Sequence, residues 1–295
     1  MLHTGQRTSS PSRIRFRLLA DRSAKWIFAA AALFGIFIMG VLLVRITSEG
    51  ASFLSLDFLT GRFSTLPERA GIMGAILGTF WLLLVVVPVT MIIGIGSAIY
   101  LELYSRSGKL KTFIQTNIGN LAGVPSIVYG ILGLTVFVRA FELGGVVLAG
   151  GLTLSLLILP IVIVAAQEAL RSVPSQLGDA SYALGASKWQ TIQSVILPVA
   201  LPAILTGAIL ALSRAIGETA PLVVLGIPAL LIPFPGGILD RFTVLPMQIY
   251  YWTLDAALVS EYAHLAAAAS IVLLISLFLL NGSAIYLRNK YKMNI

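Results

Sequence analysis

The chain has 295 residues, of which 58% are hydrophobic and only 11% charged, and it carries a formal charge of +8. Soluble domains average about one quarter charged residues, so this composition points to a bilayer rather than water as the solvent. With no cysteine, thiolate metal sites and disulfides are excluded; His3 and His264 lie far apart in the sequence, which disfavours a histidine metal cluster, and no cofactor is expected. The positive charge is no nucleic-acid footprint: Lys and Arg crowd at the ends of apolar segments, which is the pattern of membrane topology.

Residues 1–25 form a basic tail. An apolar stretch of about 20 residues crosses about 30 Å of hydrocarbon as a helix. Six such stretches follow, at residues 26–44, 74–100, 120–138, 145–166, 204–225 and 265–287, which gives an all-α integral membrane protein with six transmembrane helices. The first has a basic leader, but its apolar core is longer than the roughly 7 to 15 residues of a signal peptide, so it is expected to stay as an anchor. Residues 26–70 are then anchor and external loop, and 71–295 the main transmembrane domain. Within the second span, Gly74 and Gly78 form a G-x-x-x-G pair that permits close helix contact.

Residues 167–198, between the fourth and fifth spans, form the most patterned connection. Pro174 suits a first helical position, and Leu177, Ala180, Ser181 and Leu184 recur at helical spacing. Gly185 can supply the positive φ that ends this helix, and Ser187 can cap a second one running to Pro198. A helical hairpin is expected. Periodicity alone leaves open whether it lies on the bilayer surface or protrudes into the cytoplasm.

In the fifth span Arg214 and Glu218 stand four residues apart, on one helix face. Each charge costs about 2.5 to 3.5 kcal/mol at a bilayer centre. Either the two merely neutralise each other, or Arg214 serves an anion pathway, its planar donor fork matching phosphate oxygens while Glu218 orients it. Residues 219–239 are also uncharged, but Pro228, Pro233, Pro235, Gly236 and Gly237 interrupt them and favour a loop over a seventh span.

Orientation follows from the cations. With the amino terminus inside, the inner face receives Arg7, Arg13, Arg15, Arg17, Arg22, Lys25, Arg106, Lys109, Lys111, Arg171, Lys188, Arg288, Lys290 and Lys292. The outer face receives Arg45, Arg62, Arg69, Arg139 and Arg241. Both termini are therefore expected in the cytoplasm.

Several stretches carry a family resemblance. Asp179-Ala180-Ser181, then Gly185, then Val195-Ile196-Leu197-Pro198 resembles the E-A-A loop of ABC importer permeases, with Asp179, Ser181 and Val195 in place of the usual Glu, Ala and Ile. The stretch 121–130 and the run Arg214-Ala215-Ile216-Gly217-Glu218-Thr219 resemble the phosphate-specific branch, and residues 242–252 and 284–291 resemble its A type (PstA-like). The likeness runs from about Gly71 to the carboxyl end. It implies a type I ABC importer permease of the bacterial inner membrane. In that family the hairpin is a coupling element docking on an ATPase, here through Asp179, Ala180, Ser181, Gly185 and Leu197. Arg214, Glu218 and Thr219 would belong to the substrate pathway. The implied partners are a C-type permease subunit, two cytoplasmic ATPase subunits and a periplasmic or lipid-anchored phosphate-binding protein, with phosphate as cargo.

No G-x-x-x-x-G-K-[ST] loop occurs in the chain, so ATP hydrolysis must come from another polypeptide. Three alternatives remain: a permease for another oxyanion, a proton-coupled secondary transporter using Glu218, and a membrane hydrolase using Ser213. The hairpin disfavours the second, and the lack of a positioned base disfavours the third.

Overall fold

The structure, a computed structural model, describes residues 11–228 and 234–290, with side chains from Arg22 onward except at residue 287. His3 and Arg7 of the tail, Pro233 of the proline-rich stretch, and Tyr291 and Lys292 lie outside the described residues.

Long apolar sequence becomes continuous helix because, in hydrocarbon, each backbone N–H and C=O must find its partner within its own segment. Helix α1 (Pro11–Gly50) takes in the first expected span and extends it at both ends. Residues up to Ser48 form a unit of their own, and the second unit begins at Glu49. That unit opens with α2 (Leu56–Thr60), where Ser55 Oγ accepts from Phe58 N at 3.0 Å as an N-cap. Its long helices are α3 (Met73–Ile99), prolonged by a wide π-turn over Tyr100–Tyr104, and α6 (Val147–Arg171). Two more follow later in the chain, α9 (Leu197–Ile216) and α12 (Glu261–Lys290). With α1 these make five helices long and apolar enough to cross a membrane.

The remaining candidate crossing is a bent pair of helices. Helix α4 (Lys109–Leu121) and helix α5 (Ser126–Gly133), which continues as a π-helix to Ala140, qualify only as a pair bent by 101°. The span expected at 120–138 is thus broken at Ala122 to Pro125. Pro125 brings no N–H and disfavours helix in the residue before it. Tyr129 then closes the bend by donating from its hydroxyl to Leu121 O at 2.9 Å.

The fifth span also differs from expectation. Helix α9 begins earlier than residue 204 and stops at Ile216, so Glu218 and Thr219 lie in a break rather than in a helix. Helices α7 (Ser175–Ala183) and α8 (Lys188–Thr191) precede it, and α10 (Ala220–Val224) follows the break with Pro221 in its first turn. No further crossing helix occurs in the described part of 219–239. Residues 234–244 instead run back irregularly, with Phe242, Thr243 and Val244 fully buried. Helix α11 (Leu245–Asp255), which the sequence reading did not foresee, starts there with Pro246 in its first turn.

Lipid offers no hydrophobic drive for helices to associate, so close approach rests on small residues. Gly94 of α3 packs on Val162 of α6, Gly151 of α6 on Val85, and Gly207 of α9 on Ala165. Of the G-x-x-x-G pair, Gly78 backs onto the Thr243 carbonyl and Gly74 onto the Phe63 ring. The close approach it permits is to an irregular segment, not to another helix.

Candidate substrate pathway and coupling hairpin

Two polar rungs join α9 to α12. Arg288 Nη1 donates to Thr206 Oγ1 at 3.0 Å, and two turns further along, Ser213 Oγ lies 2.6 Å from Asn281 Oδ1. Arg288 occupies the last turn of α12, where a long cation reaches for the membrane boundary. At 1.5 Å per residue, Arg214 stands about 12 Å deeper along α9 than Thr206, counted from the Arg288 end.

Helix α9 ends at that depth. Gly217 N donates to Arg214 O at 3.1 Å and Glu218 N to Ala215 O at 3.2 Å, tightening the last turn. The Arg214 guanidinium therefore sits at a helix C-terminus, whose partial negative charge favours it. Its Nε bonds Glu218 Oε1 at 3.2 Å; the Arg214 side chain is 55% exposed and that of Glu218 only 16%. Thr219 is half-buried and opens α10 without capping it through its hydroxyl. The two short helices that follow the breaks pack together, Gly130 of α5 against Pro221 and Val224 of α10. Helices interrupted inside a membrane present free backbone ends and charges to a cavity or pathway.

The hairpin forms as its punctuation predicts. Gly185 stands at φ +85°, and Ala186 N donates back to Ser181 O at 3.2 Å. Ser187 and Gln190 form a reciprocal capping box: Ser187 N donates to Gln190 Oε1 at 2.8 Å, and Gln190 N to Ser187 Oγ at 3.4 Å. Pro174 is the residue before α7 rather than its first. The second arm does not stop at Pro198. A π-turn over Ile192–Ile196 widens the coil, accommodates the proline ring and carries the helix on to Ile216.

Asp179, Ala180, Ser181 and Gly185 lie together in the hairpin, whereas Leu197 sits apart in the body of the helix, packed beside Ala98, Leu170 and Ile204. The residue that sequence reading missed is Thr191. It is fully buried, and its Oγ1 lies 2.9 Å from Ser181 Oγ, joining the two arms. The tip is apolar and open, with Leu184 90%, Trp189 57% and Tyr182 45% exposed.

Hydrolase chemistry finds no support at Ser213, whose hydroxyl is within hydrogen-bond distance of Ile209 O and Asn281 Oδ1. His264 stacks on Phe53 and lies 3.2 Å from Glu49 O, about 25 Å along α12 from Asn281.

Residues 90–290 match the family described as binding-protein-dependent transport system inner membrane component. The chain belongs to that family. Among relatives of this inner membrane component, the probable ABC transporter permease YqgI of Bacillus subtilis is 36% identical over 206 residues, 70% of each chain. The phosphate transport system permease PstA of Yersinia pestis is 33% identical over 270 residues, covering 90% of this chain and 89% of that one. The PstA 1 protein of Mycobacterium tuberculosis is 38% identical over 162 residues, 54% of this chain and 52% of its own. The fold is also that of solved importers. A chain of a bacterial ABC transporter that imports alginate overlays with a TM-score of 0.64 at 16% identity, covering 94% of this chain and 100% of its own. A chain of the MetNI methionine ABC transporter overlays at 0.60 and 18% identity, covering 75% and 96%.

Proposed function

We propose that this family member is the A-type permease of an ATP-driven phosphate importer and that Arg214 is its anion contact within the membrane. The substrate assignment is supported by relatives named for phosphate transport, one of them matched along nine tenths of the chain. The observation that carries the site is the Arg214–Glu218 pair at the broken end of α9. Its contact engages Nε, which leaves the guanidinium fork oriented for an oxyanion. An arriving phosphate competes with Glu218 for the cation, and Glu218 closes on it again when the site empties. Because Arg214 is open to the outside of this single chain, the pathway runs between this subunit and a C-type permease.

The hairpin end faces the cytoplasm together with both termini, and the apolar tip around Leu184 docks on one of two ATPase subunits, which supply all ATP hydrolysis. A phosphate-binding protein delivers cargo at the opposite end. The test is Arg214→Gln in a host stripped of its own phosphate importers. Removing a buried-depth cation eases insertion, so the complex should assemble while phosphate uptake falls to background. Normal uptake would remove Arg214 from the pathway, and disassembly would make the pair a structural one.

A further inference from the structure

We propose that α3 is a coupling rod between the hairpin and the irregular segment at residues 234–244 with the start of α11, with Glu102 and Arg171 as the positioning residues at its hairpin end; this deepens the proposed function and rests on it. Glu102 lies in the π-turn that ends α3. Its Oε1 stands 3.0 Å from Arg171 Nε, and Arg171 Nη1 reaches Glu168 Oε1 at 2.9 Å. Arg171 is the last residue of α6, from which the first hairpin arm departs. The second arm is tied to the same turn of α3: Lys188, the first residue of α8, holds Nζ 4.7 Å from the centroid of the Tyr104 ring. An ion pair and a cation–π contact thus hold both arms to one turn.

The second arm also packs at this end of α3 through Ile196 and Leu197, in one apolar cluster with Ala98, Leu103 and Leu170, whereas a cavity of about 410 Å³, lined by Glu102, Arg171, Asp179, Tyr182 and Ile196 among others, lies between the first arm and the helix ends. The Glu102 side chain is only 18% exposed, and its Oε2 is buried with no partner among the described residues. Its charge is therefore compensated by Arg171, and loss of that partner is more damaging than loss of both charges.

The opposite end of α3 grips the irregular segment. Thr79 Oγ1 accepts from Leu245 N at 3.0 Å, Trp81 Nε1 donates to Pro235 O at 3.0 Å, and Gly78 lies against the Thr243 carbonyl. From Thr79 to Glu102 the helix is about 35 Å long. Packed helices shift as units rather than deform, so a hairpin displaced by an ATPase pulls on the segment at the far end.

The experiment uses the complete transporter in vesicles, with ATP hydrolysis and phosphate uptake measured on one preparation. Glu102→Gln keeps the shape and a hydrogen bond but removes the charge. The ATPase subunits should stay bound and hydrolysis remain within about two-fold, while phosphate moved per ATP falls at least about five-fold. Arg171→Gln, which strands the Glu102 carboxylate, should lower the yield of folded complex. Adding Glu102→Gln to it should restore yield without restoring uptake per ATP. Wild-type uptake per ATP in Glu102→Gln, or a proportional fall of hydrolysis and uptake with loss of subunits, overturns the inference. A wild-type complex that binds no ATPase or carries no phosphate overturns the proposed function itself, and the rod with it.

Discussion

At Gly185 the backbone adopts φ +85°, a conformation in which a β-branched side chain is strongly disfavoured. Gly185→Val should strain the bend by about 1 to 2 kcal/mol and reduce recovery of the ATPase partner in co-purification about ten-fold, with the subunit still inserted. Recovery at wild-type yield would take the bend out of the docking surface. Thr191 makes a related prediction. Thr191→Val preserves shape but leaves Ser181 without its partner, a loss of about 1 kcal/mol, read as faster proteolysis of the hairpin with the spans intact. Unchanged proteolysis would mean the arms are held by other contacts. Glu218→Gln should reduce uptake less than Arg214→Gln, because an orienting carboxylate matters less than the cation it holds; equal loss would point to a direct role for Glu218.

Elements were legible in the sequence where local chemistry defines them. Gly185 and Ser187 mark the hairpin through backbone conformation and capping, and these signals act within a few residues. The breaks in the membrane were not legible in the same way. Beyond Arg214, Glu218 and Thr219 the residues on both sides of Gly217 are apolar, so a hydropathy window runs through the break, and Pro125 interrupts α4 and α5 inside a stretch long enough to be one span. Helix α11 was missed because its buried face packs on irregular segments and other helices, a tertiary fact with no strong local period. Ser181 was read without Thr191, and Arg171 without Glu102, because each partner comes from another element. Gly78 shows the same limit: its small size was visible, but not that the Thr243 carbonyl fills the space beside it. Gly78→Leu should therefore lower the melting temperature of the solubilised subunit, since overpacking costs about 1 to 3 kcal/mol or more. An unchanged melting temperature would show that segment 242–245 yields freely and cannot anchor α3.

For the molecule as a whole, the proposed function assigns two tasks to opposite ends of one helix. An apolar hairpin tip precedes α9 and a charged pair stands at its broken end, while α3 runs from the hairpin to the segment that leads into α11. This division suits a permease that borrows ATP energy from a partner, and it differs from a proton-coupled transporter, in which Glu218 itself would carry the coupling proton. The two accounts diverge most directly in phosphate uptake by vesicles holding the assembled complex and internal ATP after the proton gradient has been collapsed. The present account predicts uptake at an undiminished rate, halted when ATP is withdrawn; uptake that stops with the gradient and survives without ATP would contradict it.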